Sequence, residues 1–148
     1  MKPPKAPARL PAAEIAARVI HNFVVKHRQP RYLGLVARHY SGGSHGFGEL
    51  DHFIRNLDLR YCHQIPSGLQ HTDSIFQQLQ ALTSANDCFI MHARAELDGQ
   101  WMNLRQALEL VVGSGDGAFL VLDNGEIMYH ESETPKERYI GGRRPRTT

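Results

Sequence analysis

Residues 88–131 read CFIMHARAELDGQWMNLRQALELVVGSGDGAFLVLDNGEIMYHE, and the fold turns on how this stretch is parsed. From Met91 the apolar positions alternate as Met91, Ala93, Ala95 and Leu97, with His92, Arg94 and Glu96 between them. Period two predicts a strand with one face on a core and one face in water. Asp98-Gly99 then favours a tight hairpin turn, because both of its positions tolerate positive φ, and Gln100-Trp101-Met102 returns the chain.

A helix follows. Asn103 is placed to cap it, with Gln106 three residues on in a capping-box arrangement. Leu104, Ala107, Leu108 and Val111 make one apolar stripe, and Gly113 stands where a left-handed stop is wanted. Ala118 to Leu122 is apolar without alternation, which predicts a strand buried on both faces or central in the sheet. Asp123-Asn124-Gly125 turns the chain into Ile127-Met128-Tyr129. A three-residue loop pairing Leu122 with Glu126 is favoured over a two-residue turn, which would set Asp123 against Glu126.

Working outward, residues 1–11 hold four prolines and three basic groups and read as a flexible tail. A helix is predicted from about Pro11 to Pro30 on the stripe Ile15, Val19, Phe23 and Val24, then a buried strand over residues 32–37 with Gly34 marking close backbone approach. Arg38 to Gly48 is a Gly/Ser/His-rich loop. Leu50, Phe53, Ile54 and Leu57 have helical spacing, and an edge strand is expected around Leu59 and Tyr61. Thr72 or Asp73 would cap a further helix carrying Ile75, Phe76, Leu79 and Leu82. From Pro135 the chain reads as a second basic tail, with Tyr139 and Ile140 tethering it. The expected organisation is a tail over 1–11, one α+β domain over 12–135 and a tail over 136–148. The expected fold has about four helices on one face of a mainly antiparallel sheet of four to six strands.

The 148 residues suffice for one domain, and no apolar run approaches the ~20 residues of a membrane span. Two cysteines do not make a disulfide framework, so a cytoplasmic location is expected. The net charge of +2 hides polarity: the two tails carry +7 and residues 12–135 carry −5. Residues 61–135 alone hold ten acidic groups and two basic ones.

Candidate sites centre on the glycine loop and the first hairpin. The loop spacing fits neither a P-loop nor a dinucleotide fingerprint, and Glu49 and Asp51 would repel a phosphate there. His45, Glu49 and His52 are the candidate metal ligands if a helix extends back to His45. Gly46 and Gly48 interrupt it, so no metal and no cofactor is favoured. Cys62 and His63 are neighbours on a strand and point to opposite faces, and Cys88 opens an apolar strand as an inert thiol. His92, Arg94 and Glu96 on one sheet face form a candidate ligand-binding row, joined by Arg38, His39, Ser44 and His45 from the loop.

No motif is specific enough to name a family. The first expectation is therefore a non-catalytic binding or regulatory domain acting through a protein partner or self-association, basic parts against acidic ones. The alternative is a small hydrolase or transferase on a phosphate-bearing or nucleotide substrate, using the Gly/His loop with His92 and Arg94. The second alternative is nucleic-acid binding through the basic tails with Arg28, Arg31 and Arg38.

Overall fold

The computed structural model describes residues 8–42, 47–48, 55–134 and 136–142. The chain is an α+β protein built on a six-stranded antiparallel sheet. In chain order its elements are α1 (Ala12–Phe23), α2 (Gln29–Ser41), β1 (Cys62–Gln64), α3 (Thr72–Gln80), β2 (Asp87–His92), β3 (Trp101–Asn103), α4 (Leu104–Val111), β4 (Ala118–Leu122), β5 (Ile127–Glu131) and β6 (Arg138–Gly142). The strands lie side by side as β1-β6-β5-β4-β2-β3, so β1 and β3 are the edges.

The central strands explain the layering. Every residue of β4 and β5 is buried, so each strand needs apolar cover on both sides. Phe89, Met91, Phe119, Val121 and Met128 point to the face covered by α1 and α2. Cys88, Ile90, Ala118, Leu120, Leu122 and Tyr129 point to the face covered by α3 and α4. The four α-helices among the described residues are thus divided two and two between the faces, where one shared face was expected.

Pro30 starts a helix instead of ending one. It occupies the first turn of α2, where its missing N–H costs nothing. Residues 32–37, expected as a strand, are consequently helical, with Tyr32 and Val36 buried one turn apart. Gly34 does not mark a close approach among the described residues, none of which lies within 4 Å of where its Cβ would stand. α1 itself stops at Phe23, and Val24 bridges Leu57. The helix expected around Leu50 falls largely on residues 49–54, outside those described. The edge strand begins at Cys62, just beyond the expected Leu59 and Tyr61.

The first hairpin differs from its sequence reading. β2 ends at His92, and Ala93 to Gly99 is a turn segment in which Leu97 N–H and Asp98 N–H both donate to Arg94 O. Ala93, Ala95 and Leu97 alternate with polar residues without being extended. The α4 boundaries match expectation: Asn103 Oδ1 accepts Gln106 N–H, and Gly113 follows with φ 79°. α3 is capped by His71 Nδ1, accepting from Ser74 N–H, in place of Thr72 or Asp73. The β4–β5 loop has four residues, because Leu122 pairs with Ile127. Asp123 and Asn124 both take positive φ to close it, and Asp123 and Glu126 are not cross-strand partners.

β6 lies within the stretch expected as a basic tail. It pairs with β5 along five residues and with β1 along three, so it is interior to the sheet. Among the described residues no helix is long and apolar enough to cross a membrane.

Candidate functional site

The expected row of His92, Arg94 and Glu96 does not exist as a row. His92 is the last residue of β2 and is fully buried, whereas Arg94 and Glu96 are exposed on the following turn and pair with each other. Arg94 N–H donates to His92 Nδ1 at 2.9 Å, which places the ring proton on Nε2. Burial holds the His92 ring below its usual pKa, and among the described residues its Nε2 has no hydrogen-bond partner.

Asp98 is what gathers the neighbouring side chains. Its carboxylate side chain is 0% exposed and accepts from His39 Nε2 at 2.7 Å, Tyr40 Oη at 2.9 Å and His92 N–H at 3.0 Å. The Tyr40 phenol is pushed up, by burial first and then by the charge and hydrogen bond of Asp98. His39 packs against Phe47, ring centroids 4.4 Å apart, and Phe47 N–H donates to His92 O at 2.8 Å. The end of α2 and the far end of the glycine loop therefore do meet β2. Ser44, His45, Glu49 and His52 lie outside the described residues. Arg38 is exposed, and Arg31, seven residues earlier, shares its side of α2 with Arg28 close by.

The arrangement around Asp98 is a structural clasp. It fastens the 93–98 turn to α2 through His39 and Tyr40 and to the end of β2 through His92 N–H. Neither cysteine supplies a nucleophile to it. Burial pushes both thiols up to about 12, aided by Asp58 at Cys62 and Asp87 at Cys88. No group of three potential metal ligands occurs among the described residues.

A second polar feature was not legible in sequence. His92, Ala118, Glu131 and Arg138 are successive register partners across β2, β4, β5 and β6. Glu131 Oε1 accepts from Tyr129 Oη at 2.7 Å and Gly113 N–H at 3.2 Å, tying the loop after α4 to the sheet. Burial raises the Glu131 carboxyl against the opposing pull of Tyr129 and Arg138.

Among the described residues, an open, chemically furnished surface lies beside edge strand β3. A cavity of about 400 Å³ is lined there by Arg9, Ser84, Ala85, Asn86, Asp87, Trp101, Asp123 and Asn124. Three elements shape it: the connection into β2, the β3 edge and the β4–β5 turn. Asn124 is left-handed, and residues 8–10 lie against its carboxamide. Asn124 Nδ2 donates to Ala8 O at 3.2 Å, and Leu10 N–H donates to Asn124 Oδ1 at 3.4 Å. The Arg9 guanidinium sits 4.4 Å from the Trp101 ring centroid and 3.0 Å from Asp87 Oδ2. Arg9 remains 54% exposed, so its ion pair is worth about 0.2–1 kcal/mol and its cation–π contact about 0.5–1 kcal/mol. The stretch expected as a free tail thus ends in a lightly held segment on the acidic part of the molecule.

No family model, curated protein or solved structure matches the chain.

Proposed function

We propose that this chain is a non-catalytic binding domain that acts through a protein partner, and that the groove beside β3 is where the partner is taken. The observation that carries this reading is the chemistry of that groove. Two carboxylates, an indole and two carboxamides line one concavity, and these groups recognise basic side chains and extended backbone. Of the residues of the enzyme alternative, Arg94 is paired with Glu96 at the surface and the His92 ring is buried, while Ser44 and His45 lie outside the described residues. Two free, buried thiols accord with a cytoplasmic location.

The test is a synthetic array of decapeptides spanning net charges from strongly acidic to strongly basic, probed with the full chain. Basic peptides are expected to be retained and acidic ones not, with retention weakening as salt rises. Trp101→Ala is expected to lose retention while keeping the far-UV circular dichroism of the parent. Equal retention of acidic and basic peptides, or no retention at all, contradicts the reading.

A further inference from the structure

We infer that the groove is an arginine-recognition site for an extended segment of a partner protein, and that the chain's own residues 8–10 occupy it in cis. The inference rests on the proposed binding function and names its ligand and its competitor. The groove divides recognition between two kinds of group. Asn124 reads backbone, taking a C=O and an N–H from residues 8 and 10, a contact any extended segment can make. Trp101 and Asp87 read the side chain between them. A planar guanidinium stacks on the indole face and sends an N–H to the carboxylate, which a lysine ammonium does less well.

Residues 8–10 therefore show the binding mode that an incoming segment would copy. Two features mark them as a replaceable occupant. The Arg9 side chain is more exposed than buried, and it lines the cavity together with Asp123 and Asn86 instead of filling it. A tethered occupant competes at a high effective concentration, so its weak contacts still reduce the apparent affinity of a partner.

Trp101 is the one tryptophan of the chain, so its fluorescence reports the groove directly. The probe is an acetylated, amidated pentapeptide with the sequence of residues 7–11, titrated into the full-length chain and into Arg9→Ala. Arg9→Ala is expected to bind it about tenfold more tightly than the parent chain. The same peptide with lysine at its centre is expected to bind several-fold more weakly, and with alanine not measurably. Arg9→Gln serves as a second variant should Arg9→Ala not give a folded chain.

Equal affinity for the parent and the variant overturns cis occupancy and leaves the binding function standing. Equal affinity for arginine and lysine peptides overturns the assigned specificity. Loss of pentapeptide binding in both chains, with basic decapeptides still retained, overturns the inference alone; loss on both probes removes the binding function too. Concentration-dependent dimers of the parent that vanish in Arg9→Ala would make a second copy the occupant and overturn the partner assignment.

Discussion

Asp98→Ala is expected to lower the unfolding free energy by about 3 kcal/mol, because it strands buried donors that now share one carboxylate. The His92 N–H lies at a buried strand end, and the Tyr40 hydroxyl reaches inward to the same group. Alanine offers neither an acceptor. The His39 ring, 16% exposed at its side chain, can recover water and loses least. Asp98→Asn keeps one carbonyl oxygen for His92 N–H and Tyr40 and is expected to cost about 1 kcal/mol. Urea unfolding of the two variants gives the ordering. If Asp98→Ala falls within about 0.5 kcal/mol of the parent, the clasp between α2 and the 93–98 turn is not a stabilising unit.

Gly125→Ala is expected to be comparably damaging for a different reason, at about 2–4 kcal/mol. Gly125 takes φ 107° in the β4–β5 turn, and a Cβ there would stand 2.6 Å from Arg18 Cβ and 3.5 Å from Ile15 O. Those atoms belong to helix α1 next to its backbone, so no side-chain rotation relieves the clash. The helix must shift, and the hydrogen bond that Asn22 Nδ2 donates to Gly125 O at 2.8 Å would be disturbed. Gly99 is the control. Its φ is 81°, yet none of the described residues lies within 4 Å of its Cβ position, so Gly99→Ala should cost only about 1 kcal/mol of backbone strain. Equal losses at the two glycines in thermal unfolding would contradict the packing of α1 on the turn.

Much of the back half was legible because local chemistry and burial agree there. Asn103, the 104–111 stripe and Gly113 each carry a helix signal that tertiary packing did not override. The unbroken apolar run 118–122 predicts a strand buried on both faces or central in the sheet; β4 is both, and burial on both faces calls for helices on both sides.

The misses have physical causes. Residues 32–37 form a six-residue apolar run, and runs of that length fit a buried strand or one helical face equally well. Pro30 can end one helix or open the next, and only the burial of Tyr32 and Val36 decides between them. Ala93, Ala95 and Leu97 alternate by accident, since Asp98 reaches back to His92 and ends the strand early. β6 reads as a tail because Arg138 and two glycines dilute its apolar content. Gly141 is there because a Cβ would stand 2.9 Å from the Phe23 ring.

The candidate site was the least legible part. The expected ligand-binding row, His92, Arg94 and Glu96, separates into a buried ring and a surface ion pair. The groove instead joins Arg9 to Asp87 across 78 positions and Ala8 to Asn124 across 116, and no local pattern encodes such pairings. Charge polarity was the available signal: a basic N-terminal stretch meets the acidic half of the chain, within one molecule.

The seating of residues 8–10 against Trp101, Asp87 and Asn124 is the premise on which cis occupancy of the groove stands, and ¹H–¹⁵N correlation spectra of the parent chain and Arg9→Ala test it directly. The account predicts that the Trp101 indole N–H and the Asn124 carboxamide signals move on substitution, together with the backbone amides of Asp87 and Leu10. Changes confined to residues 8–10, with Trp101 and Asn124 unmoved, would contradict it.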